Sequence, residues 1–523
     1  MLNENEHTKR KNGRFCNSAS RIANMMRYGG AIAFWIVLWA AIAILVDNPI
    51  LVAGPGGTLT AFLSSFMQPI FWSAVGQTAV RIVCVGLASA VLATVLGFAA
   101  ARFSWVRVLL APAMQVMKSA PVACIIVIVL VAAGAVGALV SIVAFVTIPP
   151  FYVAALEAQQ ARDHATERVL RLAGLSAARV FLAATWPSML PYFSAAAKSA
   201  IGLSWKAGIT AELLCIPLGS IGAAIYGAKL TLDTPALLMW TIIVMLLGWA
   251  NEKLAVTLLN ATHKSPVWAI RTRPKDATKG ISSKGTPLSE IAAEPQQHNI
   301  CERGYEDSPR PTFGALVLDD VRFSYTDKLV LDGLSLHLST DERICLMAPT
   351  GTGKTTLISL LTAQHEPQAG SVSSPDRMGV VLQQSTLIGS LSALQNVLIT
   401  CGNSDRAKKE RSSDTSWIER ELDALLPEDS IHKPAADLSG GTRRLTEIAR
   451  ALLGSGEAII LDEPFTGLDA NAHERACAFI LKHLNGRPLL FTTHHAEDAT
   501  HLNARIIELE KGQAIDPVHQ LDQ

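Results

Sequence analysis

The sequence predicts two fold classes in one chain: an all-α membrane domain of six transmembrane helices, then a soluble α/β domain with a phosphate-binding loop. Three observations carry this. Of the 523 residues 50% are apolar and only 17% charged, against about 25% charged in ordinary soluble domains. The deficit is local: no charge lies between Arg27 and Asp47 or from Ser119 to Leu156, whereas Asp319–Gln523 has ordinary soluble composition. Within that second half, RICLMAPTGTGKTTLISLL (343–361) runs from an apolar strand through a glycine loop into a helix. A purely soluble enzyme, a secreted protein and a disordered chain are all excluded. The divisions are a cytosolic N-terminal segment (1–27), a transmembrane domain (28–261), a flexible cytosolic linker (262–313) and the α/β domain (314–523).

A helix needs about 20 apolar residues to cross the hydrocarbon core. Gly29–Val46 supplies the first span and Ile82–Ala101 the second. Ser119–Leu156 is too long for one crossing, and the small-residue string AAGAVGA (132–138) divides it into a hairpin of two. Leu190–Leu214 is counted fifth despite Lys198, Lys206 and Glu212, because the termini otherwise fall on opposite sides. Pro235–Ala250 is the sixth. Lys206 and Glu212 are six residues apart and share no helical face, so neither is named as a solute ligand.

Orientation follows from the positive residues. Lys9, Arg10, Lys11, Arg14, Arg21 and Arg27 precede the first span, and Arg162, Arg168, Arg171 and Arg179 follow the fourth. Asp47–Gln77 carries no Lys or Arg, and Cys215–Thr234 only Lys229. Both termini are therefore expected in the cytoplasm of a multi-pass protein surrounded by membrane lipid. Between spans four and five, Val169, Leu172 and Leu175 fall at helical spacing beside Glu167, Arg168 and Arg171, giving a short amphipathic helix ending near Gly174. It suits either the membrane surface or a partner's groove. The linker is rich in Lys, Pro, Ser, Gln and Glu, without a sustained apolar period.

A net charge of +1 gives no support for nucleic-acid binding. The eight cysteines are scattered without a CxxC pair, which indicates packing residues and neither a disulfide framework nor a zinc site.

In the phosphate loop, backbone N–H groups and the helix start cradle phosphates. Gly351, Thr352, Gly353 and Thr356 belong to this loop and helix start, Lys354 is expected to reach the β- and γ-phosphates, and Thr355 to ligate Mg²⁺. AIILDEP (458–464) is a buried strand ending in two carboxylates. Asp462 suits the Mg²⁺ shell, and Glu463 suits a general base acting on the attacking water. LSGG (438–441) places Ser439, Gly440 and Gly441 at another helix start. ATPase chemistry needs no second anion loop in one fold, so this one is expected to serve a partner's nucleotide.

With these motifs the soluble half resembles the ATP-binding cassette (ABC) family over about Leu316–Leu509. The resemblance implies ATP and Mg²⁺ as cofactors and ATP hydrolysis coupled to transport. It further implies that Tyr325 stacks on adenine, that Gln383 senses Mg²⁺ and meets the membrane domain, that Asp469 links two sites, and that His494 contacts the γ-phosphate. Thr355, Gln383 and Asp462 form the Mg²⁺ set; Glu463, His494, Gln383 and Lys354 form the catalytic set. Ala348, Thr442 and His495 depart from the usual glycine, glutamine and aspartate without removing a catalytic group.

The membrane half is similar to binding-protein-dependent importer permeases of the nitrate/taurine/sulfonate branch. Glu167, Gly174, Pro187 and Pro191 carry that likeness, with SWKAGITAELL (204–214) and IGAAIYGAK (221–229). In that branch permease and ATPase are usually separate chains; here they are fused. The implied function is ATP-driven import of a small solute by a half-transporter in a bacterial inner membrane. Its implied partners are a second copy of the chain and an extracytoplasmic solute-binding protein. An exporter half-transporter and a non-transporting mechanotransmission ATPase remain alternatives, although Arg102–Arg107 is short for an exporter's cytosolic extension and no large extracytoplasmic domain is present. The solute is not legible.

Overall fold

The computed structural model describes residues 27–270, 314–401, 416–510 and 513–515, apart from 28, 49, 326–327 and 350. The N-terminal basic segment and most of the linker lie outside the described residues. Two compact units are present: Met1–Ala161 with Met189–Ala261, and Arg162–Ser188 with Thr262–Gln523.

The first unit is all-helical. Its elements are α1 (Gly29–Val46), α2 (Pro55–Phe66), α3 (Pro69–Arg102), α4 (Ser104–Ser119) and α5 (Val122–Gln160). After the 162–188 loop, which holds α6 (His164–Leu172) and α7 (Ala177–Val180), come α8 (Trp186–Cys215), α9 (Ile221–Leu230) and α10 (Thr234–Ile270). Proline opens both α2 and α3, where its missing N–H costs nothing and its fixed φ already suits a helix.

Among the described residues, four helices are long and apolar enough to cross a membrane: Gly29–Val46, Pro69–Arg102, Val122–Gln160 and Thr234–Thr262. The expected fifth span lies within α8, which has 30 residues but carries three charges. The expected hairpin needs a correction in its first arm. Helix α5 has 39 residues and is interrupted at Gly134, with φ 70° and ψ −177°. Unbroken it would run ~58 Å, nearly twice the ~30 Å hydrocarbon core. Met114 of α4 shares an apolar cluster with Ile148 and Tyr152, whereas Ile126 shares one with Leu139, Ile142 and Val143. Numbers rise on one arm as they fall on the other, so the chain reverses at Gly134. The first arm includes α4, which Arg107 and Lys118 disguise as a loop.

Glu212 of α8 is buried and paired with Arg81 of α3 at 2.6 Å. The Thr78 hydroxyl lies 3.0 Å from both Glu212 carboxylate oxygens, and the Gly222 N–H of α9 donates to Oε2 at 3.0 Å. A side chain at Gly222 would place its Cβ 2.3 Å from that of Glu212, so only glycine lets α9 approach. One carboxylate thus ties α3, α8 and α9 together.

The second unit contains a six-stranded sheet and a three-stranded antiparallel sheet. The larger has the order β5-β6-β7-β3-β8-β9, with β3 (Arg343–Met347), β5 (Met378–Val381), β6 (Ala458–Asp462), β7 (Leu489–Thr492), β8 (Arg505–Glu510) and β9 (Gln513–Ile515). It is parallel except for the β8–β9 pair. The smaller has the order β2-β1-β4, with β1 (Leu316–Tyr325), β2 (Lys328–Leu338) and β4 (Ala369–Ser373). Helix α11 (Lys354–Leu361) packs with this smaller sheet in one apolar cluster. Helices α12 (Ala393–Cys401), α13 (Ser416–Leu425), α14 (Gly440–Leu453) and α15 (Ala470–His483) share the other; α16 (Ala496–His501) precedes β8. Strands buried on both faces explain runs such as AIIL, apolar without alternation.

Candidate functional site: a phosphate loop, paired carboxylates and a docked loop helix

Strand β3 delivers the phosphate loop at its carboxyl end, where parallel sheets present ligand sites. Gly353 has φ 111°, and a Cβ there would meet Leu331 Cδ2 at 3.0 Å and Val330 Cγ1 at 3.1 Å. The loop therefore needs glycine for both conformation and space. Gly351 is exposed and Thr352 donates its hydroxyl to Pro349 O at 2.7 Å. Lys354 is buried at the start of α11, and its ammonium donates to Ala348 O at 2.8 Å. Thr355 is exposed and Thr356 buried.

The carboxylates come from β6. Register pairs Asp462 with Thr492 of β7. The Thr492 hydroxyl donates to Asp462 Oδ1 at 2.7 Å and accepts from the Glu463 N–H at 2.9 Å. Burial pushes the Asp462 carboxyl above its ordinary value; the Thr492 hydroxyl opposes this and the Glu463 charge adds to it. Glu463 stands at φ 49°, a left-handed position uncommon for a residue with a side chain. Its Oε1 lies 3.2 Å from His494 Nε2, which is 3.4 Å from Lys354 Nζ. Lys354, Asp462, Glu463 and His494, far apart in sequence, are thus brought together. Thr355, Asp462 and Gln383 offer hydroxyl, carboxylate and amide oxygen, hard donors that fit Mg²⁺.

The other predicted residues fall at separate points. Ser439 caps α14, accepting from the Thr442 N–H at 3.2 Å, and its hydroxyl lies 2.8 Å from that of Thr442. Gly440 is exposed, while Gly441 lies beside Gly467, whose carbonyl would be 3.2 Å from an added Cβ. Among the described residues no hydrogen bond joins this helix start to the phosphate loop. Asp469 caps α15 through the Ala472 N–H at 2.8 Å. Tyr325 is 44% exposed, and its ring sits edge-on to His365 at 5.6 Å.

Gln383 has an exposed side chain, and its carbonyl accepts from Arg444 at 2.7 Å. Arg444 also donates to Leu382 O and to Glu447. The sequence reading missed Arg444 and Thr492. Arg444 follows LSGG by three residues and Thr492 precedes His494 by two, but their partners are set by tertiary packing.

Residues 162–188 belong to this unit, and they dock on the α/β domain. Asp163 caps α6 through the N–H groups of Ala165 and Thr166. Val169 shares a cluster with Met378 and Val380, and Leu170, fully buried, one with Ile388 and Leu391. The helix ends at Leu172, and two residues on, Gly174 turns the chain at φ 87°, where an added Cβ would come 3.1 Å from Arg377 Cδ. Buried Glu167 holds the loop together through Arg162 at 2.7 Å and the Thr185 hydroxyl at 2.6 Å. Of the two sites open to the amphipathic helix, the groove is the one it occupies.

These features define a membrane permease joined to a phosphate-loop ATPase. Residues 331–466 match the family described as ABC transporter, and residues 93–250 match the binding-protein-dependent transport system inner membrane component. The aliphatic sulfonates import ATP-binding protein SsuB 1 of Nocardia farcinica is 36% identical over 38% of this chain and 79% of its own length. Its counterpart SsuB 3 of Rhodococcus jostii is 35% identical over 38% and 72%. The Nod factor export ATP-binding protein I of Burkholderia thailandensis is 33% identical over 36% and 66%. Among solved structures, the dimeric bacterial cassette MJ0796 aligns at 26% identity over 38% of this chain and 96% of its own, with a TM-score of 0.34. The chain belongs to the ABC transporter family. It is a membrane protein that fuses a permease to an ATP-binding cassette, and it couples ATP hydrolysis to transport.

Proposed function

We propose that the chain is an import half-transporter working as a homodimer in a bacterial inner membrane, with both termini cytoplasmic. It receives a small solute, of the aliphatic sulfonate class, from an extracytoplasmic binding protein. The single observation that carries import is the permease match of residues 93–250 to the binding-protein-dependent type. The sulfonate class rests on the names of cassette relatives. The brief connection between α3 and α4, Phe103 alone, also favours import over an exporter's long cytosolic extensions.

In this reading Lys354, with the loop residues Gly351–Thr356, holds the ATP phosphates, and Tyr325 stacks on adenine. Thr355, Asp462 and Gln383 hold Mg²⁺, which when bound neutralises phosphate charge. Glu463 takes the proton of the attacking water. His494, already beside Glu463, orients the terminal phosphate. Ser439, Gly440 and Gly441 close over the nucleotide held by the partner, and Asp469 connects the two sites. Helix α6 carries the resulting motion to the membrane spans.

The cassette likeness to Nod factor export proteins keeps export as a second reading. Uptake separates them. The purified chain in proteoliposomes with outward binding-protein face should accumulate a labelled alkanesulfonate only with internal ATP and an added binding protein. ATP-driven movement of solute away from the cassette side without any binding protein would overturn import.

A further inference from the structure

We propose that His473, Cys477 and His501 form a binding site for a divalent transition metal of the zinc class, separate from the Mg²⁺ position. Cys477 follows His473 by one turn on α15, so both project from one face. His501 closes α16. Donor atoms of the three residues lie within 4.8 Å of one another. Cys477 Sγ is 3.9 Å from His473 Nδ1, and the His473 and His501 rings meet edge-on at 5.5 Å.

Chelation geometry agrees. Zinc bonds of about 2.3 Å to sulfur and about 2.0–2.1 Å to nitrogen, at tetrahedral angles, put the two donor atoms ~3.6 Å apart. Cys477 Sγ lies 3.9 Å from Nδ1 and 4.0 Å from Nε2 of His473, so ligation closes the gap by a few tenths of an ångström and turns the His473 ring to aim one nitrogen at the ion. A supporting shell also exists. His473 Nε2 lies 2.8 Å from Asp498 Oδ1, and buried Asp498 accepts a second hydrogen bond from the Thr493 hydroxyl. A carboxylate on Nε2 can hold the proton there and free Nδ1 as the ligand atom once the ring turns toward the sulfur, as in carboxylate–histidine–zinc arrangements. Phe465 covers the His473 ring, centroids 4.5 Å apart.

The donor set selects the metal. Two imidazoles and a thiolate suit zinc, cobalt, nickel or copper, not the hard cations that take oxygen ligands. Three protein ligands leave a fourth position for water. His473 and His501, though not Cys477, line a depression of about 590 Å³ together with Asp469, His494 and Asp498. Ligation joins α15, which begins just after Asp469, to α16, which begins just after His495. An ion here thus links the two segments flanking the candidate hydrolytic residues. No property of transport direction or solute enters.

The test uses the full chain purified in detergent, stripped with chelator and titrated with Co²⁺, then Zn²⁺. The expected result is saturation at one Co²⁺ per chain with a thiolate-to-cobalt charge-transfer absorption that Zn²⁺ displaces. Cys477→Ser should abolish that absorption. Asp498→Asn, which removes only the supporting carboxylate, should weaken binding about 10–100-fold, and His501→Ala should weaken it at least as much. The exposed His501 side chain allows that variant to fold, which retained ATP binding verifies. A wild-type chain that binds ATP but no Co²⁺, or an absorption that persists in Cys477→Ser, would overturn the site.

Discussion

His494 Nε2 stands 3.2 Å from Glu463 Oε1 and 3.4 Å from Lys354 Nζ. The histidine therefore bridges the end of β7, the carboxylate after β6 and the phosphate loop. Replacing Glu463 by Gln keeps the shape and the neighbours but removes the proton acceptor. ATP binding should persist, because Lys354, Thr355 and Asp462 are untouched. Phosphate release should fall about 10²–10⁴-fold, the usual contribution of a positioned base. Near-normal release from Glu463→Gln would assign the base elsewhere.

Coupling should fail when α6 loses its seat. Leu170 is fully buried against Ile388 and Leu391, so Leu170→Asp places an unpaired charge there at a cost of several kcal/mol. Basal ATPase should remain while solute uptake collapses. Uptake at the wild-type rate in a verified Leu170→Asp chain would separate α6 docking from transport.

The same loop should respond to acid. Burial raises the Glu167 carboxyl, but hydrogen bonds from Arg162 and Thr185 outweigh it and hold the group below its ordinary value of 4.5. A depressed folded pKa means the stabilisation is present above the unfolded value and is lost as pH falls through the folded one. Thermal unfolding followed below pH ~4.5 should show a decline in the wild type that Glu167→Gln lacks. Parallel curves for the two would remove Glu167 from the acid response.

Inside the first unit, Arg81 and Glu212 make the sharpest stability test. Arg81→Met leaves a buried carboxylate without its cation, a change of about 3–5 kcal/mol in such pairs. Arg81→Met with Glu212→Met replaces both charges by apolar volume and should recover most of that loss. The midpoints of thermal unfolding in detergent decide; simple additivity of the two single variants would mean the charges do not interact.

What the sequence made legible was local. Lys354 follows its glycines within one loop, and the α6 amphipathic face lies within one helix, so spacing sufficed for both. The hairpin apex was readable from small residues, and Gly134 provides it. Helix α4 was not, because Arg107 and Lys118 broke the apolar run that marks a span. Arg81 and Glu212 are 131 positions apart, and His501 meets Cys477 only because α15 and α16 pack. No periodicity reports contacts of that range. Register mattered likewise: Thr492 steadies Asp462 because β6 and β7 pair in parallel.

The chain has one phosphate loop and one LSGG segment, and among the described residues no hydrogen bond joins them. In the proposed homodimer a complete site takes Lys354 from one copy and Ser439 from another, and the simplest closed arrangement is a two-fold pair. Lys354→Ala and Ser439→Arg homodimers each carry two damaged sites. A mixed dimer of the two gathers both defects into one site and leaves the other intact. Differently tagged chains, co-expressed and purified as the mixed species, should regain tight ATP binding and part of the ATPase activity. Should turnover require both sites, occlusion of nucleotide in the intact one is the readout. Neither signal in a verified mixed dimer, or full activity from an isolated monomer, would sink the shared site, because each outcome separates Lys354 and Ser439 from a common nucleotide.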